Sequence, residues 1–284
     1  LGTRLGEMTT GGYTMFDIPR PKQTLVHIHG SAEELGRVYQ ADMMINSGPR
    51  AFAEALEAMK PVDGGSRSKS IAQGHADYLA TLEPLPVPGD VQMGEIAAWL
   101  NATLPDDAII TNGAGNYANW MHRYYQYRGY RTQLAPTSGS MGYGLPAAVA
   151  AALVHPDRVV VSMNGDGCFM MHGQELATAM QHGAKIIAMV INNNMYGTIR
   201  MHQEREFPGR VKHTDLQNPD FAALAKAYGA NGETVLETSE FKPAFERALA
   251  SDKSTVIEVK IDPEAITPKT TLSAIRKAAL EKAN

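Results

Sequence analysis

Two apolar, β-branched segments of this 284-residue chain run directly into polar residues and glycines. Residues 159–163 are followed by Asn-Gly-Asp-Gly-Cys at 164–168, and residues 186–191 by Asn-Asn-Asn-Met-Tyr-Gly at 192–197. If both segments are parallel strands joined by one helix, a right-handed crossover brings their polar ends to the same sheet edge, side by side or nearly so. Ligands bind beyond the carboxyl ends of such strands. The spacing therefore predicts one binding site built from both ends.

The residue types at these two ends suit a magnesium ion that carries a diphosphate. Mg²⁺ prefers six oxygens in an octahedron and takes one or two protein carboxylates plus phosphate oxygens. Asp166 offers a charged oxygen and Asn193 an amide oxygen, and a backbone carbonyl just beyond completes the protein's share. Gly165 and Gly167 let the backbone approach phosphate, and a helix starting at Cys168 adds free N–H groups. Either end alone is typical of an ordinary turn, whereas the pair at this spacing predicts a cofactor site.

From residue 90 onward, strand-like runs alternate with helix-like patterns. Strands are predicted at 108–111, 132–134, 159–163, 186–191, 234–236 and 255–261, and helices at 116–126, 142–153, 172–181, 219–228, 240–250 and 271–282. The strands are continuous β-branched runs, which is typical of a sheet covered on both faces. The pattern predicts an α/β fold: a doubly wound parallel sheet with helices on both faces.

The residues before position 90 differ in character. Residues 1–60 predict a small α/β segment with a strand at 25–28, a capping box formed by Ser31 and Glu34, and a helix at 49–59. Residues 61–89 are rich in proline and glycine and predict a linker with one short helix near 70–82. A second domain is expected at 90–284. The chain begins with Leu1 rather than Met, and its first residues resemble a domain interior, so we expect a fragment.

Composition narrows the class of protein. The chain is 44% hydrophobic and 20% charged, with a net charge of −4 and no run of Lys or Arg, which argues against nucleic-acid and membrane partners. Its apolar stretches are too short for a membrane span. The single cysteine, Cys168, excludes an internal disulfide, and the first residues do not show the basic and apolar pattern of a secretion leader, so we do not expect secretion. We therefore expect a cytoplasmic protein.

The combination of Gly-Asp-Gly at 165–167 with Asn-Asn at 192–193 resembles the thiamine diphosphate motif. Its surroundings, including residues 139–148, 163–169 and 174–178, resemble the acetolactate synthase-like branch of the pyruvate oxidase and decarboxylase superfamily, over nearly the whole chain. The resemblance implies the thiamine diphosphate-binding fold, preceded by the end of a central domain. It implies a transferase or lyase that decarboxylates a 2-oxo acid and then ligates the product to an acceptor. A benzoylformate-type decarboxylase and a non-catalytic cofactor-binding module are the alternatives.

The same resemblance implies roles for individual residues. Asp166, Asn193 and the carbonyl of Met195 would bind the metal. Met141 would brace the bent cofactor from beneath and bond its aminopyrimidine through the backbone carbonyl, although the residues alone favour a core methionine there. The predicted cofactor-binding set, in which Asn116 and Tyr117 touch the diphosphate, is Asn116, Tyr117, Gly139, Ser140, Met141, Gly165, Asp166, Gly167, Cys168, Asn193, Met195 and Tyr196.

The resemblance also implies a partner. In the family, the glutamate that activates the cofactor lies in an N-terminal pyrimidine-binding domain, usually on a neighbouring subunit, and this sequence does not contain that domain. We therefore expect a pyrimidine-binding domain from the same protein or a neighbouring subunit as partner, in a homodimer or homotetramer. The chain alone is expected to bind the cofactor poorly and to catalyse nothing.

The sequence argues against two other cofactors, NAD and FAD. Residues 113–118 match the dinucleotide fingerprint, but Gln133 and Leu134 stand where its acidic residue belongs, which argues against NAD. Acetolactate synthases carry acidic residues that help hold FAD where this chain has His29 and Ser31, and this departure weighs against FAD. His27 and His29 are read at least equally well as ordinary strand residues.

A few positions have alternative roles. Thr198 and His202 fall on the segment that lines the substrate pocket in relatives, where acetolactate synthases typically have tryptophan in place of His202. His202 is either a proton donor or a solvent-facing helix residue.

Cys168 is either a reactive thiol or a small residue that contributes only its backbone. Glu175 is read as scaffold, and the C-terminal helix as a tail that folds over the site in relatives.

Overall fold

The computed structural model describes residues 1–283. The chain divides into two compact units, Leu1–Gln73 and Gly74–Asn284. The division lies within the segment predicted as a linker, inside the α-helix of that segment (α2, Ser68–Ala80).

The first unit contains a parallel pair of strands, β1 (Val26–His29) and β2 (Met43–Asn46), followed by helix α1 (Pro49–Glu57). The predicted capping box is wrong: the Ser31 side chain makes no capping hydrogen bond, and Glu34 pairs with Arg37 at 3.0 Å. Only a short 3-10 turn, Ala32–Glu34, forms there. The chain turns extended at Leu35 directly after it, so no α-helix can continue.

The second unit contains a six-stranded parallel sheet in the order β4-β3-β5-β6-β8-β7. Its strands are β3 (Ile109–Asn112), β4 (Gln133–Leu134), β5 (Val160–Gly165), β6 (Ile187–Asn192), β7 (Asn231–Val235) and β8 (Thr255–Lys260). Its helices are α3 (Met93–Thr103), α4 (Ala118–Tyr124), α5 (Gly144–Val154), α6 (Asp166–His172), α7 (Glu175–His182), α8 (Gly197–Glu206), α9 (Phe221–Ala227), α10 (Thr238–Ala250) and α11 (Leu272–Ala283).

Both faces of this sheet are covered, as the apolar strands predict. Successive residues of β5 point to opposite faces: Val161 joins the cluster packed by α3, α4 and α10, and Val160 the cluster packed by α5, α7 and α9. All six residues of β5 and of β6 are buried. The predicted doubly wound α/β fold is confirmed.

The chain after β5 differs from the prediction of one helix at 172–181. Helix α6 begins at Asp166, directly after the strand, and ends at His172, while α7 runs from Glu175 to His182. Gly165, the last residue of β5, has extended backbone angles and serves as the N-cap of α6. The polar residues after β5 are thus the first turn of a helix rather than a loop before one.

The strand order places a topological switch between β3 and β5. The chain passes from β3 outward to β4 and then returns to β5 on the other side of β3. The connections that leave the carboxyl ends of β3 and β5 therefore diverge, which opens a crevice where ligands bind in such sheets. Across residues 1–283, no helix is both long and apolar enough to cross a membrane.

Candidate functional site

A cavity of about 240 Å³ lies at this crevice. Its walls come from residues at or beyond the ends of four strands: 114–117 after β3, 165–168 at the end of β5, 193 and 195–199 after β6, and Ile261, Ala265 and Ile266 after β8. Gly139 and Met141, from the loop before α5, Trp120, from α4, and Ile191, from β6, also line it. The two polar ends singled out in the sequence thus face one cavity. They are named the β5 tip (165–168) and the β6 tip (193–197).

Asp166 is the buried carboxylate of the β5 tip, only 3% exposed. Its Oδ1 accepts a hydrogen bond from the Gly167 N–H at 2.9 Å, and its Oδ2 accepts one from the Asn218 Nδ2 at 2.8 Å. Burial raises the pKa of Asp166 above its ordinary value, and these hydrogen bonds oppose that rise. The backbone N–H groups of Met195 and Asn194 lower the pKa of Asp166 in the same direction. A cation bound there would offset the desolvation of the carboxylate.

The β6 tip is a tight loop that is held in place by a later segment. The Asn193 Oδ1 accepts from the Met195 N–H at 3.3 Å, and Asn194 takes a left-handed conformation with φ of 56°. The Gly197 N–H donates to the Met195 carbonyl at 2.9 Å. Backbone bonds from Tyr196 to Thr214 and from Leu216 to Asn194, both 2.8 Å, fasten the loop to residues 214–216. The amide of Asn193 and the carbonyl of Met195 are therefore fixed beside the cavity.

The two glycines of the β5 tip are required by close ring contacts. A Cβ on Gly165 would lie 2.7 Å from the ring of Tyr117, and a Cβ on Gly167 would lie 2.6 Å from the ring of Tyr196. Burial, followed by the neighbouring Cys168 thiol, raises the pKa of the Tyr117 hydroxyl. The sequence predicted that these glycines give room to a ligand, whereas the contacts described so far are with the two tyrosine rings.

The loop before α5 contributes one of its three predicted residues through its side chain. Met141 is half-buried, packs against the core and lines the cavity. Gly139 also lines it, with a left-handed φ of 69°. Ser140 is exposed, and its hydroxyl lies 2.8 Å from that of Ser138. The structure thus brings Gly139 and Met141 to the cavity and leaves the Ser140 side chain outside its lining.

Hydrogen bonds tie the β3 end to its neighbours. The Asn116 N–H donates to the Thr198 Oγ1 at 3.0 Å, which joins the β3 connection to the start of α8. The buried Cys168 donates through Sγ to the Ala114 carbonyl at 3.1 Å. Thr198 lines the cavity, whereas His202 is exposed, contacts Arg205 and does not line it. Glu175 accepts from the Thr178 hydroxyl on its own helix.

Several residues of the site were not anticipated from the sequence. Asn218 bonds Asp166 directly, and Ile261 and Ile266 form an apolar wall of the cavity. Glu258 is 1% exposed within β8 and accepts from the Asn192 Nδ2 at 2.7 Å. A carboxylate inside an otherwise apolar strand is a signal that would have identified Glu258. No local pattern marks Asn218 or the two isoleucines.

The donor set fits magnesium better than a transition metal. Over residues 1–283, no group of three or more His, Cys, Asp or Glu side chains is placed to hold a metal ion. The residues lining the cavity instead include the carboxylate of Asp166, the side-chain amide of Asn193 and Met195 with its backbone carbonyl. Hard oxygen ligands with few carboxylates suit Mg²⁺, which takes its remaining ligands from phosphate and water, whereas zinc sites use His and Cys.

Residues 113–259 match the family described as "Thiamine pyrophosphate enzyme, C-terminal TPP binding domain". This stretch exceeds half of the chain and contains both polar tips. The chain belongs to the thiamine pyrophosphate enzyme family. The resemblance drawn from the two motifs is therefore confirmed, and residues 113–118 belong to a thiamine diphosphate-binding domain.

Related proteins cover nearly all of the chain. It is 30% identical over 280 residues to the acetolactate synthase large subunit of Corynebacterium glutamicum, which covers 93% of this chain and 44% of that protein. It is 27% identical over 286 residues to the acetolactate synthase isozyme 2 large subunit of Escherichia coli, with 99% and 51% covered. The chain thus spans about half the length of these relatives.

A solved structure shares the fold. The thiamine diphosphate-dependent 4-hydroxybenzoylformate decarboxylase of Rhodococcus jostii superposes with a TM-score of 0.68 at 29% identity. The match covers 85% of this chain and 45% of that one. The shared architecture includes the parallel sheet whose carboxyl edge carries the cavity.

Proposed function

We propose that this chain binds the magnesium ion and the diphosphate of thiamine diphosphate in an enzyme that acts on 2-oxo acids. The observation that carries the proposal is the convergence of Asp166 with the β6 tip on one cavity at the switch point of the sheet. Asp166, Asn193 and the Met195 carbonyl would supply three oxygen ligands, and the diphosphate and water would supply the others. The first turn of α6 adds backbone N–H groups beside the phosphate.

Bound thiamine diphosphate would supply an ylid that adds to the 2-oxo acid and an electron sink for the decarboxylation. The residues of this chain hold and shield the cofactor. Ile191, Ile261 and Ile266 keep one wall of the cavity apolar and reduce the access of water. Met141, which lines the cavity and packs half-buried against the core, would brace a bent ligand from below.

For the reaction, we propose acetolactate synthase-like carboligation after decarboxylation, supported by the names and coverage of the curated relatives. Simple decarboxylation is the second candidate, favoured by the solved 4-hydroxybenzoylformate decarboxylase. Product analysis of the full-length protein with pyruvate separates the two: acetolactate supports carboligation, and free aldehyde supports decarboxylation. A non-catalytic cofactor-binding module would yield neither product.

We also propose that the partner of this site is a pyrimidine-binding domain, from the same protein or a neighbouring subunit of a homodimer or homotetramer. The coverage of the relatives supports this partner, because the chain matches only 44% and 51% of the two acetolactate synthase large subunits. An activating glutamate from that domain would complete the site. Size measurement of the full-length protein, with and without cofactor, tests the assembly: a monomer that turns over 2-oxo acids contradicts a subunit-shared site.

The direct test of the metal site is Mg²⁺-dependent binding of thiamine diphosphate to the full-length protein, measured by calorimetry. Asp166→Ala removes the charged ligand, so we expect a loss of Mg²⁺ affinity larger than the roughly 10–100-fold typical of outer-shell changes. Asp107→Ala is the matched control, because Asp107 precedes β3, at the opposite sheet edge, and is ion-paired with Arg158 at 3.6 Å. Unchanged Mg²⁺ affinity in Asp166→Ala would show that the metal site is wrongly placed.

A further inference from the structure

Asn218 connects three oxygen atoms at the edge of the cavity. Its Nδ2 lies 2.8 Å from the Asp166 Oδ2, 2.9 Å from the Asn192 Oδ1 and 3.3 Å from the Asn194 Oδ1. A carboxylate oxygen can only accept a hydrogen bond, so the Asn218 amide must turn its nitrogen toward Asp166. Asn218 lies in the connection between α8 and α9, far from Asp166 in sequence.

The orientation of the neighbouring amide is fixed independently by a second buried carboxylate. Glu258 Oε1 lies 2.7 Å from the Asn192 Nδ2, and the Lys260 ammonium lies 3.8 Å from the same oxygen. Because the Glu258 carboxylate only accepts, Asn192 must present its nitrogen to Glu258 and its oxygen to Asn218. Asp166 and Asn192 therefore both require the Asn218 nitrogen. The Asn192 oxygen also accepts from the Asn194 N–H at 2.9 Å, which fixes the same direction.

We infer that Glu258, Asn192 and Asn218 form an amide relay that positions the Asp166 carboxylate for the metal ion. The inference rests on the proposed magnesium site and assigns it three positioning residues. The relay holds Oδ2 of Asp166 while the Gly167 N–H holds Oδ1, so the carboxylate plane cannot rotate freely. A ligand held in its binding orientation loses less conformational entropy when the metal arrives. Outer-shell partners of this kind typically change metal affinity by about 10–100-fold.

The sheet explains why the relay can exist. Strand β8 lies beside β6, with Glu258 paired in register to Val190 and Lys260 to Asn192. This register sets Glu258 two residues below the end of β6, within reach of the Asn192 side chain. Thr234 of β7 donates to the other Glu258 oxygen at 3.4 Å. The carboxylate is thereby anchored from both neighbouring strands.

A purely structural role makes a different prediction from a positioning role. If the relay only satisfied buried polar groups, its loss would lower the stability of the fold and leave metal affinity unchanged. The two roles separate when Mg²⁺ affinity and thermal unfolding are measured on the same variants.

The test uses the full-length protein with saturating thiamine diphosphate, titrated with Mg²⁺ by calorimetry. Asn218→Ala removes the donor from a half-buried loop position, and we expect about 10–100-fold weaker Mg²⁺ binding. Asn231→Ala is the matched control: Asn231 is also half-buried and donates to the Ser251 Oγ at 2.7 Å, but it lies in β7 outside the cavity lining. We expect its Mg²⁺ affinity to stay within about 2-fold of the wild type.

A double-mutant cycle tests the connection to Glu258. Glu258→Gln keeps the size of the side chain but replaces the charged acceptor of the Asn192 Nδ2 with a neutral amide, so we expect weaker Mg²⁺ binding in the wild-type background. In the Asn218→Ala background the same change should alter Mg²⁺ affinity by less than about 2-fold, because the relay is already interrupted. Additive effects, or Asn218→Ala affinity within about 2-fold of the wild type, overturn the relay alone. A wild-type protein without Mg²⁺-dependent cofactor binding overturns the proposed function and the relay with it.

Discussion

At Gly165, a hydrogen atom is the largest side chain that the site accepts. The ring of Tyr117 lies against Gly165 and also against Gly115, where a Cβ would approach it to 2.6 Å. Tyr117 is 8% exposed, so its ring has little space into which it can move. The backbone of Gly165 is ordinary, with φ of −76°. The requirement for glycine is therefore one of packing, and it ties the β5 tip to the β3 connection.

Gly165→Ala should destabilise the protein by about 1–3 kcal/mol, because the new methyl group overpacks the Tyr117 ring. Urea unfolding followed by fluorescence measures the change. Gly74→Ala is the matched control, since Gly74 lies within helix α2 with no atom near its virtual Cβ. That change should stabilise by about 0.5–1 kcal/mol. Equal effects of the two substitutions would exclude the ring contact as the reason for Gly165.

The sequence identifies the site residues that directly follow a strand and misses those that lie in distant connections. Asp166 and Asn193 directly follow continuous apolar runs, so their shared edge follows from the right-handed crossover rule. Asn218 reaches Asp166 only because residues 214–216 pair with the β6 tip. For His202 the sequence left a proton donor and a solvent-facing helix residue as alternatives, and the structure shows its side chain exposed on α8. Side-chain direction on a short helix requires knowledge of what packs against it.

At the scale of elements, a buried glutamate joins α8 to α11. Glu204 of α8 is 1% exposed and accepts from Arg276 of α11 at 2.7 and 2.5 Å. Arg200, one turn earlier on α8, donates to the same carboxylate at 2.9 Å, and so does the Gly209 N–H. Because α8 begins with cavity residues, α11 supports one wall of the site from behind.

Arg276→Ala should lower the free energy of unfolding by about 1.5–3 kcal/mol, because it removes two charge-assisted hydrogen bonds to a buried carboxylate. In this variant, the amide hydrogens of α11 should exchange faster than in the wild type, and this increase should be larger in α11 than in the sheet strands. Lys277→Ala is the neighbouring control: Lys277 is exposed and lies 4.0 Å from Glu281, a contact worth about 0.3–0.5 kcal/mol. If α11 exchanged at the wild-type rate in Arg276→Ala, Glu204 would not be what holds it.

The same cluster predicts a pH dependence. The hydrogen bond from Arg276, followed by those from Gly209 and Arg200, lowers the pKa of Glu204 from 4.5 to about 2. A lowered folded-state pKa means that the stabilisation is complete above the ordinary pKa and is lost as pH falls from about 4.5 toward 2. At neutral pH, the free energy of unfolding of the wild type should therefore exceed that of Glu204→Gln by about 2–3 kcal/mol. Below pH 4.5 this difference should become smaller. Urea unfolding of both proteins from pH 7 to pH 3 measures it, and a constant difference would contradict the assignment.

Element types were predicted better than element ends. Strands β5, β6 and β8 were found within one or two residues, because they are long β-branched runs. The start of helix α6 was predicted at Cys168, two residues late, and its separation from α7 was not predicted, because the Asp-Gly pair that begins α6 favours a turn. Strand β2 was missed because its apolar run is short and largely exposed.

At the scale of the whole molecule, alternation predicts the fold class but not the order of strands. The doubly wound sheet follows from strands covered on both faces. The position of β8 between β6 and β7 does not follow from this pattern, because it depends on which distant segments pack together. That insertion brings Ile261 and Ile266 beside the β6 tip, and it is the reason that the apolar wall of the cavity could not be predicted.

The two units differ in how much they bury, which predicts different behaviour in isolation. Between residues 1 and 73 only Thr10, His27, Ile28 and Tyr39 are buried, and the strand pair β1–β2 is of a size that is marginal alone in water. The second unit holds both large hydrophobic clusters and the six-stranded sheet. We expect residues 68–284, which keep α2 whole, to unfold cooperatively when produced alone, and residues 1–67 to show no cooperative transition. Thermal melts followed by circular dichroism test both pieces, and a cooperative melt of residues 1–67 would contradict the expectation, because it would require a core that these buried residues do not provide.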